Sequence, residues 1–208
     1  MNLFGFYAAN VRELLQLTGQ HVLLVMASTG TAVLIGVPLG VLVSRTPSLR
    51  GAVLGLANVF QTIPSLALFG FLIPLFGIGF WTAIAALIVY ALLPVVRNTY
   101  VGIVGVDPAV REAGVGMGMT DGELLRLVEL PLAAGVIMAG IRVATVVGVG
   151  IATIAAAIGA GGLGEYIFRG VSNVNYTLIL AGALPAALLA LLADALLGAA
   201  ERRLVWRR

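Results

Sequence analysis

Five long apolar stretches dominate this sequence and limit what it can fold into. They cover residues 21–43, 51–76, 80–96, 132–158 and 176–200, and a helix needs about 20 apolar residues to cross a bilayer. Of the 208 residues, 61% are hydrophobic and only 10% are charged, whereas about a quarter of the residues in a soluble domain are charged. The sequence therefore predicts one domain over residues 1–208, an all-α polytopic transmembrane helical bundle with five spans.

The arginine residues indicate the direction of the spans. Most of them follow the first, third and fifth spans, whereas the other two turns hold only Arg169. Cytoplasmic loops of membrane proteins are enriched in basic residues. We therefore expect a multi-pass protein of the cell (inner) membrane, with its amino terminus outside and its carboxyl terminus in the cytoplasm. The residues concerned are Arg45, Arg50, Arg97, Arg111, Arg126, Arg202, Arg203, Arg207 and Arg208.

Residues 1–20 precede the first apolar stretch and mix aromatic and aliphatic side chains with Arg12 and Glu13. This mixture is typical of an amphipathic segment at the outer membrane interface, and a partly ordered tail is the alternative. Trp81 and Trp206 stand near the ends of spans, where they are expected to be interface anchors.

The composition argues against several kinds of chemistry. The chain has no Cys and a single His, His21, so we expect no metal site. All twelve basic residues are Arg, and the phosphate-binding loop of ATPases requires a Lys. The arginines do not form a patch interleaved with aromatic residues, so no nucleic acid is expected. No nucleophile with a base or pair of carboxylates in a soluble pocket is evident, which makes an enzyme the least favoured class.

The connection between the third and fourth spans, residues 97–131, predicts a helix-turn-helix on the cytoplasmic side. Asp107 followed by Pro108 is a favourable helix start, with Asp as the N-cap. Thr120 followed three residues later by Glu123 is a capping box that begins a second helix.

The same connection resembles a known family. Its residues are similar to the E-A-A-x3-G-x9-I-x-L-P signature of membrane subunits of ABC importers, with Gly114 in place of the second Ala and Val128 in place of Ile. In that family the helix-turn-helix couples the permease to a separate ATP-binding subunit. An alternative is a helix pair that only connects two spans. The coupling residues implied by the resemblance are Glu112, Ala113, Gly114, Gly118, Val128, Leu130 and Pro131.

A narrower resemblance covers most of the chain from about residue 20. The stretches "FQTIPSLALFGFLIPLFGIG", "YALLPVVRNTY" and "PAALLALLADALLG" are similar to permeases for glycine betaine, choline, carnitine and related osmoprotectants. The family implies an extracytoplasmic solute-binding protein, a second permease copy or paralogue, and ATP with Mg on the partner subunit, with no cofactor on this chain. Methionine and phosphonate importers of similar architecture are the nearest alternative.

The stretch "IGAGGLGEY" contains a G-x-G-x-x-G pattern that sometimes marks a dinucleotide site. Such a site must follow a strand and begin a helix, whereas these glycines follow an apolar stretch of helical length. We expect them to end the fourth span on its outer side, where Gly permits positive φ and close packing. The family resemblance implies an outer gate formed by Gly159, Gly161, Gly162 and Gly164.

Polar residues within the spans predict a passage. Gln61, Thr62 and Ser65 surround Pro64 in the second span, and polar groups at a kink are expected where a helix lines a path. A packing kink with internally satisfied hydroxyl groups is the alternative.

Two charged residues lie within the last two spans. Arg142 lies about 16 Å along the helix from Pro131, and Asp194 in the fifth span is at a similar depth. We expect Arg142 and Asp194 to form an intramembrane ion pair, or Arg142 to line a wet inner cavity of the passage.

A self-sufficient channel or an ion-coupled carrier is the rival from another functional class. Carriers typically contain acidic or His residues in the membrane and repeated halves. The sequence shows neither feature convincingly, so an importer subunit is favoured.

Overall fold

The chain is helical throughout the part that the structure describes. The computed structural model describes residues 3–204, so the predictions for Trp206, Arg207 and Arg208 lie outside it. Every regular element within this range is helical, as the sequence predicts. In chain order they are α1 (Leu3–Ala9), α2 (Val11–Arg45), α3 (Pro47–Thr62), α4 (Ser65–Phe76), α5 (Phe80–Val104), α6 (Pro108–Gly116), α7 (Asp121–Leu124), a π-helical turn (Leu125–Glu129), α8 (Leu130–Ala155), a 3-10 turn (Ala156–Ile158), α9 (Gly164–Ser172) and α10 (Tyr176–Leu204).

Four helical segments of the described chain are long and apolar enough to cross a membrane, and a bent helix pair makes a fifth if it counts as one span. The four are α2, α5, the continuous helical segment Asp121–Ile158 and α10. The fifth is α3 with α4. The all-helical class and four to five candidate spans are thus confirmed, and the count of five stays a prediction.

The second predicted span, residues 51–76, is not the single kinked helix that was expected. It consists of α3 and α4, which are bent by 105° at a break between Thr62 and Ser65. Ile63 has extended backbone angles (φ −72°, ψ 127°), as expected before a proline, and Pro64 has no N–H to continue the helix. Pro64 therefore ends a helix where the sequence predicted a loosened turn.

Two other boundaries differ from the sequence prediction. The first long helix starts earlier than the predicted span, because α2 begins at Val11 and runs without a break to Arg45, and the predicted interface location of residues 1–20 stays a prediction. No proline occurs between residue 11 and Pro38 to stop it. Similarly, α5 continues to Val104, eight residues beyond the predicted end of the third span.

Helix α5 lies at the centre of the bundle, where it packs against α2 on one side and α8 on the other. Small residues make this possible. A Cβ atom at Gly40 of α2 would lie 2.5 Å from Thr99 Cβ, and one at Gly140 of α8 would lie 2.6 Å from the Pro94 carbonyl oxygen. Close backbone approach at small residues is typical of helix packing in membranes.

Two irregular regions lie at opposite ends of α8. The helix-turn-helix leads into its first residues, and the glycine-rich loop 159–163 follows its last turn. The 26 residues of α8 separate these regions by about 39 Å at 1.5 Å per residue. The bundle therefore has one end with the helix-turn-helix and another with the glycine loop.

Candidate functional site

The helix-turn-helix of residues 107–131, here called the elbow, begins both of its helices with the predicted caps. The Asp107 side chain accepts a hydrogen bond from the Ala109 amide at 2.9 Å. Glu123 accepts one from the Thr120 amide at 2.8 Å, and the Thr120 hydroxyl accepts one from the Glu123 amide at 3.4 Å. The capping box is confirmed, and it stabilises the sharp entry into α7.

The signature residues divide into those inside the elbow and those on its surface. A Cβ atom at Gly114 would lie 2.7 Å from Leu124 Cδ1, so this buried Gly lets α6 contact α7. Gly118 has φ +84° and turns the chain between the two helices, in a conformation that favours Gly. Val128 and Leu130 are partly buried, while the remaining signature residues are exposed: Glu112, Ala113, Gly118 and Pro131.

A buried carboxylate joins the elbow to the first long helix, and the sequence analysis missed it. Glu129 has no exposed surface and forms ion pairs with Arg45 of α2 and with Arg111 of α6, the latter with 3.0 Å between Glu129 Oε1 and Arg111 Nε. Arg111 also donates a hydrogen bond to the Ile103 carbonyl at 2.8 Å. Glu129 stands at the end of the π-helical turn, which places its side chain between the two arginines. A lone acidic residue between apolar residues beside Pro131 was the available signal.

The expected pair of Arg142 and Asp194 is present. Arg142 donates to both Asp194 oxygens, at 2.6 and 2.7 Å, and to Glu201 at 3.2 Å. A Cβ at Gly198 would lie 3.2 Å from the guanidinium carbon, so Gly198 makes room for the Arg142 side chain. The three charged residues line a cavity of about 330 Å³. The predicted ion pair is thus present, and the role of Arg142 in a wet inner cavity of the passage stays a prediction.

Because Glu201 also pairs with Arg142, substitutions of Arg142 and of Asp194 should lower the yield of folded protein by different amounts. We expect Arg142→Gln to lower the yield of folded permease several-fold, because two neighbouring carboxylates would lose their cation. Asp194→Asn should be milder because Arg142 keeps Glu201, and the double variant should recover part of the yield. Size-exclusion chromatography of a fluorescent fusion measures the yield, with the exposed Arg203→Gln as control. Equal yields for both single variants would contradict this order.

The break between α3 and α4 is held by α5. The Gln61 side chain donates a hydrogen bond to the Tyr90 carbonyl at 3.0 Å, and the Tyr90 hydroxyl donates one to the Ile63 carbonyl. The Thr62 hydroxyl bonds within its own helix, to Val59 at 2.7 Å, as the packing alternative predicted for a hydroxyl group. This geometry fixes the broken helix against the bundle core.

The predicted passage residues are only partly brought together. Gln61 lines a second cavity of about 490 Å³, and Arg142 lines the first; the two cavities share Val143 and Val147 of α8. Thr62, Pro64 and Ser65 are not among the residues that line these two cavities.

The glycine loop has the left-handed backbone that the sequence predicted. Gly159, Gly161 and Gly162 have φ of 74°, 81° and 86°. The Gly162 amide donates to Gln20 Oε1 at 3.0 Å, and His21 donates through Nε2 to the Val149 carbonyl at 3.1 Å. The first of these bonds attaches the loop to α2, and the second attaches α2 to α8.

Gly164 contributes packing rather than turn geometry. Any Cβ there would overlap the Thr153 carbonyl oxygen and lie 2.8 Å from Ala156 Cβ. The loop follows a helix and not a strand, which removes the structural context of a dinucleotide site.

Comparison with known proteins agrees with these features. Residues 32–206 match the family described as binding-protein-dependent transport system inner membrane component. The chain is 48% identical over 199 residues to a choline transport system permease protein of Bacillus subtilis (strain 168), covering 96% of this chain and 92% of that protein. It is 47% identical over 202 residues to an osmoprotectant import permease protein of Salmonella typhimurium, covering 95% and 94%.

Solved structures show the same fold. A chain of the MetNI methionine ABC transporter in an inward-facing conformation superposes with a TM-score of 0.84 and 24% identity, covering 92% of this chain and 95% of that one. A chain of an amino acid ABC transporter has a TM-score of 0.80 and 20% identity, covering 98% and 99%. The helical bundle is thus the fold of ABC importer permeases. By its sequence match and its fold, the chain belongs to the family of binding-protein-dependent transport system inner membrane components.

Proposed function

We propose that this chain is the permease subunit of an ATP-driven importer for osmoprotectants such as glycine betaine, choline or carnitine. The main support for the proposal is the elbow, whose signature residues lie at one end of an importer-type bundle. The relatives support the solute class, because one is named for choline and others for glycine betaine, carnitine and choline. Solute choice would rest largely with an external binding protein, in which aromatic rings can hold a quaternary ammonium group.

The surface of the elbow supports docking to an ATP-binding subunit. Val115, Met117 and Leu127 of the elbow are 60%, 72% and 65% exposed, and Glu112 of α6 is exposed too. Exposed apolar side chains and an acidic group are features that a partner with a basic residue can cover. ATP and Mg would then be bound by that partner, and this chain would transmit the movement.

A second permease copy, or a paralogue, would complete the passage. Helix α3 has no buried residue in the single chain, and only 17% of the most apolar window of α10 is buried. Two such bundles related by a two-fold axis can enclose a path that one bundle leaves open. The path would be lined by Gln61, Thr62, Pro64, Ser65 and Arg142, with membrane lipid around the pair.

The charges of the chain support one direction in the membrane. Three arginines lie in or near the elbow, namely Arg45, Arg111 and Arg126, and Arg203 lies in the last turn of α10. This distribution supports a cytoplasmic elbow and carboxyl terminus. The amino terminus and the glycine loop would then be outside.

If the glycine loop lies on the outer side of the membrane, it is in a suitable position to control the entry of solute into the passage. The gate would consist of Gly159, Gly161 and Gly162 of the loop together with Gly164 at the start of α9, on the side of the loaded binding protein. A Gly161→Val variant that assembles normally should therefore transport more slowly than the unaltered protein, and unchanged transport would exclude the gate role.

Purification and reconstitution test the function. We expect the chain to co-purify with an ATP-binding subunit, and the complex in vesicles to take up labelled glycine betaine, choline or carnitine only with ATP and the binding protein. ATP hydrolysis should rise when the binding protein is loaded. Uptake of methionine or phosphonates instead would favour the alternative importers. Uptake without ATP would favour a channel or an ion-coupled carrier.

A further inference from the structure

The cavity of about 490 Å³ between α5, α8 and the end of α3 combines polar and apolar lining residues. Four of its lining residues are polar, namely Gln61, Tyr90, Arg97 and Asn98, and the others are apolar. Its volume falls within the roughly 300–1,000 Å³ of sites for small molecules, which combine apolar walls with a few placed polar groups. The polar groups stand at the cavity wall formed mainly by α5.

Arg97 is the one charged residue that lines this cavity. It lies seven residues after Tyr90, on the same face of α5, and seven residues before the helix ends at Val104. At 1.5 Å per residue it is about 10 Å from that end. Within residues 3–204 its side chain has no ion pair or hydrogen bond, whereas Arg45, Arg111 and Arg142 are all paired with carboxylates.

The neighbouring amides add hydrogen-bonding capacity. Asn98 uses one N–H for the Pro94 carbonyl at 2.8 Å, and Gln61 uses one for the Tyr90 carbonyl at 3.0 Å. Each amide group therefore keeps a second N–H, and the guanidinium offers five. No carboxylate lines the cavity. A planar anion that accepts two parallel hydrogen bonds from an Arg is the group that this arrangement fits.

We propose that Arg97, with the Asn98 amide beside it, binds the carboxylate group of solutes as they cross the permease. The proposal rests on the proposed function and adds to it a site that distinguishes solutes by their anionic group. Glycine betaine carries a carboxylate and a trimethylammonium group, whereas choline carries the same trimethylammonium group and a neutral hydroxyl. The permease therefore contributes to solute choice in addition to the binding protein.

Uptake of these two solutes by reconstituted vesicles tests the site. The vesicles contain the full complex with its unaltered ATP-binding subunit and binding protein, so a solute-dependent difference must arise in the permease. Arg97→Gln should lower the initial rate of glycine betaine uptake roughly 10-fold through loss of a charge-assisted hydrogen bond. Choline uptake should stay within about 2-fold, which also shows that the variant folds and couples. Arg97→Lys should be intermediate, because it keeps the charge and loses the planar fork.

The exposed Arg203→Gln is the matched control, since it removes an arginine from the last turn of α10. It should leave both rates unchanged. Equal loss of both solutes in Arg97→Gln would assign Arg97 to a partner subunit or to lipid and would overturn the site, as would no loss at all. If Arg97→Gln does not assemble, an unchanged ratio of the two rates in Arg97→Lys overturns it.

The outcomes for the unaltered protein separate the two proposals. Uptake of choline without uptake of any carboxylate-bearing solute refutes the Arg97 site alone. Failure to take up any quaternary ammonium solute refutes the proposed function.

Discussion

Replacing Glu129 by Gln is expected to destabilise the permease by about 2–4 kcal/mol and to weaken coupling to ATP hydrolysis. Glu129 has no exposed surface and neutralises Arg45 and Arg111. Removing one partner of a fully buried pair costs roughly 3–5 kcal/mol, and the partial exposure of both arginines lowers this figure. Thermal unfolding in detergent measures the stability, and stimulation of ATP hydrolysis by loaded binding protein measures the coupling.

Asp121→Asn is the matched control for this experiment. Asp121 is an exposed acidic residue of the same elbow, and its side chain forms no ion pair or hydrogen bond with other residues in the range 3–204. It should change the unfolding midpoint little. If both variants behave alike, the Glu129 cluster does not hold the elbow to α2.

Replacing Gly164 by Ala is expected to prevent normal assembly, with a cost at the upper end of the roughly 1–3 kcal/mol that is typical of an overpacked site. The new methyl group would overlap the Thr153 carbonyl oxygen and lie 2.7 Å from the carbonyl carbon. Both groups belong to backbone at the junction of α8 and α9, so neither can move away as a flexible side chain would. The amount of monodisperse protein extracted from membranes measures the effect.

Gly150→Ala supplies the comparison. A Cβ atom at Gly150 meets nothing within 4 Å, and Ala favours a helix over Gly by about 1 kcal/mol. This variant should assemble at least as well as the unaltered chain. Normal assembly of both variants would mean that the loop packs differently against α8.

The parts of the fold that follow from local chemistry could be predicted from the sequence. The capping box of Thr120 and Glu123 requires only residues three positions apart, and it is present as expected. The left-handed glycines of the loop likewise follow from the residue type. Arg142 and Asp194 could be paired because charges at a similar depth within the spans need partners, although Glu201 was not anticipated as the third member.

The parts that depend on packing between distant elements could not be predicted. Glu129 pairs with Arg45 and Arg111, which lie 84 and 18 positions earlier in the chain. The π-helical turn that orients Glu129 cannot be recognised from hydrophobic periodicity. The size of the bend at Pro64 depends on contacts with Tyr90. The early start of α2 was hidden because charged residues such as Arg12 and Glu13 interrupt the apolar pattern there.

The length of α2 connects the two ends of the molecule. Its Gln20 holds the glycine loop and its Arg45 holds Glu129 in the elbow, and the 25 residues between them span about 37 Å at 1.5 Å per residue. Because one helix is anchored at both places, a rigid displacement of α2 at one anchor would also move the other. A rocking of 10° about the Arg45 end would carry Gln20 sideways by about 6 Å, given that helical rise, which exceeds the reach of its hydrogen bond to Gly162.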